Sequence, residues 1–227
     1  MAATLIIMLG FMFSFVLAVG AAFLGAPSIW AEVESGVLIS MLPRPIRRSE
    51  VLLGKWLGLV ILVVGYTVIA TGMEMLICSW VMNYEAPHPI LAIICIAAQA
   101  VILLTLSVAC STRIPSMASG IVLIVLFGVT WMAGIAGAVG AAFHQHTVEN
   151  IGTVSSLILP TDGLWRAAVY NLEPYALLTA QHEIGRAASG NPFFVLSAPS
   201  SGYLIWSVCW VVAVLGIGIW SFSRKEL

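Results

Sequence analysis

The residues able to carry chemistry are few. Gly54-Lys55-Trp56 has the look of the end of a phosphate-binding loop. That loop needs Gly-x-x-x-x-Gly-Lys-Ser/Thr, so that backbone amides cradle phosphates and a hydroxyl holds magnesium. Position 49 is Ser and position 56 is Trp, so no nucleotide site is expected in this chain. His144 and His146, with Glu149 nearby and His182-Glu183 further on, are residue types that bind zinc or copper. Alternate histidines match no spacing as diagnostic as His-Glu-x-x-His, and they are read as polar loop residues with no metal. No nucleophile stands beside a base in the pattern that covalent catalysis requires, and no catalytic residue is expected. That leaves Glu74 and Gln99, two polar side chains set in segments that are otherwise apolar.

Those segments define the molecule. Of 227 residues 61% are hydrophobic and 8% charged, with a mean hydropathy of +1.07. A soluble domain carries about 25% charged residues, so this composition belongs to an integral membrane protein. Uncharged runs cover 1–31, 56–73, 86–112, 114–148 and 187–223. A helix of about 20 apolar residues crosses the hydrocarbon core, which gives five spans, at about 4–25, 52–80, 89–110, 117–142 and 203–222. The runs are continuously apolar, whereas barrel strands alternate over about ten residues; the fold class is all-α and polytopic. A net charge of −1 argues against nucleic-acid binding. The four cysteines fall within or at the ends of spans and form no disulfide framework. The whole chain, 1–227, reads as one transmembrane domain.

Basic residues set the orientation. Arg44, Arg47, Arg48, Lys55, Arg113, Arg224 and Lys225 fall on one face of an alternating five-span chain, while 83–88 has none and the region from 143 to 200 has two. The positive-inside bias makes that face cytoplasmic. The C-terminus is therefore expected inside, the N-terminus outside, and the protein in a cell membrane. By rise per residue, Glu74 lies toward the outer edge of its span and reads as an interfacial carboxylate, with Gln99 near the midplane. There the Gln99 amide either bonds a neighbouring helix or lines a substrate path.

The stretch from Trp30 to Trp56 is the most informative. Val33, Val37, Leu38, Met41 and Leu42 recur at helical spacing, predicting a cytoplasmic helix over about 30–42. Pro43 and Pro45 stop it, and Ser49 is placed to cap the next helix with Glu50 in its first turn. By physical chemistry alone this is an interfacial helix with Arg47 and Arg48 at lipid head groups, or a docking surface for a partner. The pattern Glu32, Glu34, Gly36, Leu38, Leu42, Pro45, Arg47, Arg48, Gly54, Lys55 resembles the signature of ABC-2-type transporter permeases, with Val37 where Thr is usual. The resemblance implies that this segment is a coupling helix docking into a separate ATP-binding subunit. It implies two copies of that subunit, which holds ATP and Mg2+, and a second permease chain as homodimer or heterodimer partner. The stretch 159–174, which opens Leu-Pro-Thr-Asp-Gly-Leu-Trp-Arg, is similar to the family's extracellular helices before the last span. The family has six spans, with the coupling helix after the second; here it follows the first, so the counterpart of the family's first span is missing.

In the fourth span Gly134, Gly137 and Gly140 recur every three residues, and Ala133, Gly137 and Ala141 form a small-xxx-small row. Such rows let helices approach closely, either within one subunit or, as the resemblance implies, between subunits. Further on, Thr161 or Asp162 is placed to cap a helix with Leu164, Trp165, Ala168, Val169 and Leu172 on one side and Arg166 and Asn171 off that stripe. It reads as a short helix dipping into the outer leaflet. The function implied is the permease subunit of an ATP-driven exporter. The alternatives are a polytopic enzyme acting on a lipid-linked substrate and a membrane anchor for a soluble partner.

Overall fold

The computed structural model describes residues 2–36, 47–84, 86–173, 195 and 200–224. Among these the chain is helical, without strands. Five helices are long and apolar enough to cross a membrane: α1 (Ala2–Gly25), α3 (Arg48–Met82), α4 (Pro89–Ser111), α5 (Ser116–Ala142) and α8 (Ser201–Ser223). Three are short: α2 (Trp30–Glu34), α6 (His146–Ile158) and α7 (Thr161–Leu172). The protein is an all-α, multi-pass membrane protein, with every expected span present.

Helix ends follow local chemistry. Pro27 and Ser28 make the elbow after α1. Arg47, not Ser49, occupies the cap position of α3, and its N–H donates to the Glu50 carboxylate at 3.1 Å. Asn83 closes α3 in the left-handed region, with φ 50, where a short polar side chain is tolerated. Pro89 opens α4 at a position whose N–H would be unpaired anyway. With 35 residues, α3 is about 50 Å long at about 1.5 Å per residue, well beyond a hydrocarbon core of about 30 Å.

The spans pack around α4, the most buried of the five. It touches α1, α3, α5, α7 and α8, and buries Ala92, Ile96, Ala100, Leu103, Leu104 and Val108. The face of α1 toward it is built from small residues: Ala18, Ala21, Ala22 and Gly25. At Gly25 a methyl group would stand 2.6 Å from the Ser107 side chain, so glycine is what permits the crossing. On α3 the usual rule is inverted. Its buried stripe holds Thr67, Thr71, Glu74 and Cys78, while Ile61, Ile69, Leu76 and Trp80 are exposed. Apolar side chains face lipid, and polar ones pair or hide inside.

Two expectations are corrected here. The helix at 30–42 does not run unbroken: it ends at Glu34, and Gly36 takes φ +72, a conformation that a side chain resists. Leu38, Leu42 and Pro45 lie outside the described residues. His146 and Glu149 are not loop residues either: both lie in the first turn of α6, which folds back along α5, and α7 returns along α4. These two helices make a hairpin whose turn, Leu159-Pro160, brings Leu159 into a cluster with Phe127 of α5 and Ile102 and Leu103 of α4.

Candidate functional site

Two clusters collect the polar residues, one at the end of the bundle that carries Lys55 and Arg113, the other inside the opposite half.

At the basic end, α2 hangs from the elbow with Ile29 fully buried against Leu52, Leu104 and Phe222. The turn of α2 separates the two acids. Glu34 is exposed, whereas Glu32 turns inward and forms an ion pair with Lys55 of α3. The same ammonium donates to the Ser28 carbonyl at 2.6 Å. The Ser28 hydroxyl bonds the Gly25 carbonyl at 2.6 Å and meets the Ser111 hydroxyl of α4 at 3.2 Å. About two turns into α3, the Trp56 indole donates to Thr105 of α4 at 2.9 Å. Arg113, just past α4, donates to the Ser221 hydroxyl and carbonyl of α8 at 2.8 and 3.2 Å. Arg47 and Arg48 lie at the start of α3 on this same face. Gly54 is next to Lys55 in α3, with open space beside it.

In the opposite half, the glycine row meets the hairpin of its own chain. A Cβ at Gly137 would lie 2.8 Å from the Gly152 Cα of α6. At Gly140 it would lie 2.8 Å from Val148 and from the Glu149 nitrogen, and at Gly134 2.3 Å from the Asp162 carboxylate. The Ala133 carbonyl faces Gly152, 3.1 Å from where a Cβ would be, and Ala141 is half-buried. Gly134, Gly137 and Gly140 therefore pack against helices of their own chain, the first of the two readings of this row. Asp162 does not cap α7, whose cap position is Pro160. Its carboxylate instead accepts from Arg166 Nε at 2.8 Å, and a second Arg166 nitrogen donates to the Gly134 carbonyl at 2.7 Å. Burial pushes the Asp162 carboxyl up from its ordinary range, and the Arg166 charge and hydrogen bond pull part of that back. Arg166 and Asn171 are thus inside the packing: α7 is buried almost all round, not laid with one face in lipid.

The C-terminal carbonyls of α6 would be unpaired in hydrocarbon. Three donors spaced along α8 reach them: Tyr203 O–H to Ser156 at 3.3 Å, Trp206 N–H to Leu157 at 3.0 Å and Trp210 N–H to Ile158 at 2.7 Å. At the outer end of the hairpin, the Tyr84 hydroxyl donates to the Leu172 carbonyl, and the His88 N–H donates to the Asn171 carbonyl at 3.2 Å. Burial, then the nearby Glu173 carboxylate, pushes the Tyr84 hydroxyl up to about 12, so it stays a donor at any ordinary pH.

Of the two intramembrane polar residues, Gln99 is buried and accepts from Ser14 of α1 at 3.0 Å. Glu74 departs from the interfacial reading. It is 7% exposed, with both carboxyl oxygens buried and without a hydrogen-bond partner among the described residues. It lies beside Gly10 of α1, next to the tip of Trp165. An unsatisfied buried polar group costs about 1–3 kcal/mol. Glu74→Met should therefore raise stability by an amount in that range, seen as a higher thermal midpoint in detergent; a lowered midpoint would mean that the carboxyl has a partner. His144 is exposed with φ 58, and His146 lies 3.5 Å from Glu149 on the surface. No group of three metal-binding side chains occurs among the described residues; His182 is outside them.

Sequence reasoning missed α6, the Asp162–Arg166 pair, Ser14 and the Tyr203–Trp206–Trp210 row. Gly152, opposite the glycine row, was the signal available for α6. For comparison with known proteins, the family model described as ABC-2 family transporter protein matches residues 2–227. No curated protein and no solved structure matches this chain.

Proposed function

The chain belongs to the ABC-2 transporter family, and from that premise we propose that it is the permease of an ATP-driven exporter whose energy comes from a separate ATP-binding subunit. Two permease chains form the path, and two ATP-binding subunits, each holding ATP and Mg2+, dock on the face that carries Lys55, Arg113 and Arg224. That face is cytoplasmic in a cell membrane, with the C-terminus inside. Docking uses the 30–42 segment and the turn after it, through Glu34, Gly36, Leu38, Leu42, Pro45, Arg47 and Arg48. Closure of the ATP-binding subunits displaces α2, which tilts α1 and α3 and switches access. The chemistry of ATP hydrolysis belongs to the partner.

The observation that supports this reading is the division of the two acids of α2. Glu34 is exposed on the basic face, while Glu32 is held by its own chain. Charge reversal at Glu34 should weaken capture of the ATP-binding subunit about tenfold or more, as expected when an interface meets a wrong-sign charge. Membrane insertion should be unchanged. The measurement is co-purification from membranes with the product of a neighbouring reading frame that carries Gly-x-x-x-x-Gly-Lys-Ser/Thr. Wild-type capture by Glu34→Arg, with ATP-driven turnover intact, would remove α2 from the interface.

A further inference from the structure

The ammonium of Lys55 joins three elements that sequence places far apart: the Glu32 carboxylate of α2, the Ser28 carbonyl of the elbow, and its own helix α3. The elbow in turn meets α4 through Ser28 and Ser111, and the end of α4 meets α8 through Arg113 and Ser221. Ile29 of the elbow and Val33 of α2 also pack on the bundle, through apolar side chains. Apolar contact is non-directional and allows one element to slide over another. The charge-assisted hydrogen bond from Lys55 to the Ser28 carbonyl fixes direction and distance, and the ion pair holds Glu32 of α2 to the same ammonium. Leu52, Trp56, Leu59 and Val60 of α3 also pack in the cluster that holds Ile29 and Val33, but that contact is apolar and sets no direction.

We propose that Lys55 is the positioning residue that makes α3 follow α2, with Glu32 and Ser28 as its two anchors. The ion pair thus carries displacement from the docking segment into the membrane. This rests on the exporter reading and adds to it a division of labour: Glu34 meets the partner, and Glu32 transmits.

The test has two arms. In the full chain in lipid nanodiscs, Glu32→Gln and Lys55→Met should each raise amide exchange across 29–36 about two- to fivefold, the range of a partly exposed ion pair. The double variant should add little to Lys55→Met, and the swap of Glu32→Lys with Lys55→Glu should restore protection only in part, because a carboxylate at 55 cannot donate to the Ser28 carbonyl. Additive effects, or none, would overturn the tie. In the complex with the co-purifying ATP-binding subunit, ATP with vanadate should change exchange in both α2 and the first turns of α3. In Lys55→Met the α2 change should remain while the α3 change is lost, and Lys55→Arg should recover it. An α3 response that survives in Lys55→Met overturns the transmission role alone. A wild-type complex with no ATP response, or no complex at all, overturns the exporter reading and the transmission with it.

Discussion

Gly137→Leu should push α6 away from α5 and lower the thermal midpoint of the chain by several degrees. A Cβ at this position would already stand 2.8 Å from the Gly152 Cα, and that neighbour is backbone, with no rotamer to move aside. The leucine therefore cannot be accommodated without separating two helices along their whole contact, and overpacking of this kind costs about 1–3 kcal/mol or more. Insertion should be normal, because leucine enters a bilayer readily. Gly128→Leu is the matched control on the same helix, since open space surrounds its Cβ position. The measurement is thermal unfolding in nanodiscs with expression level recorded. Equal midpoints for the two variants would show that α6 does not pack on the glycine row. Disulfide trapping of Gly137→Cys should yield no crosslinked dimer, because the position is covered by its own chain.

Arg166→Met should cost more. It leaves the Asp162 carboxylate buried with its charge partner gone, and breaking a buried pair by removing one member costs about 3–5 kcal/mol. The variant also removes the donor to the Gly134 carbonyl, and so loosens the seat of α7 on α5. The double variant Asp162→Asn with Arg166→Met removes both charges and should recover much of that loss, since replacing a whole buried pair is often close to neutral. A thermal-unfolding double-mutant cycle measures this directly. If the double variant is less stable than Arg166→Met, the two side chains do not act as a pair. Asp162 also defines a pH signature. Its carboxyl is raised above the unfolded range, so its contribution favours folding at low pH and is lost as pH rises through the folded value. Asp162→Asn should therefore flatten this fall of the thermal midpoint with rising pH.

The sequence by itself determined the class, the five spans and the grouping of basic charge on one face. These are one-dimensional properties: an uncharged apolar run of sufficient length has few alternatives to a membrane helix, whatever it packs against. It also determined that Gly134, Gly137 and Gly140 lie on a surface of close approach, because removing side chains at helical spacing has that effect in any context. Only the tertiary structure decided what approaches. The glycine row meets α6 and Asp162 of its own chain, and a pattern of small residues carries no address for its partner. Glu74 shows the same limit. Its distance along α3 was legible, but its burial beside Gly10 depends on which way the helix is turned. The helical period of residues 30–42 concealed the break at Gly36, since an apolar stripe continues across a glycine whose φ the sequence leaves open. The separate fates of Glu32 and Glu34 were likewise invisible. Two acids two positions apart point to different sides of a helix, and only the place of Lys55 on the neighbouring span decides which of them is held inside.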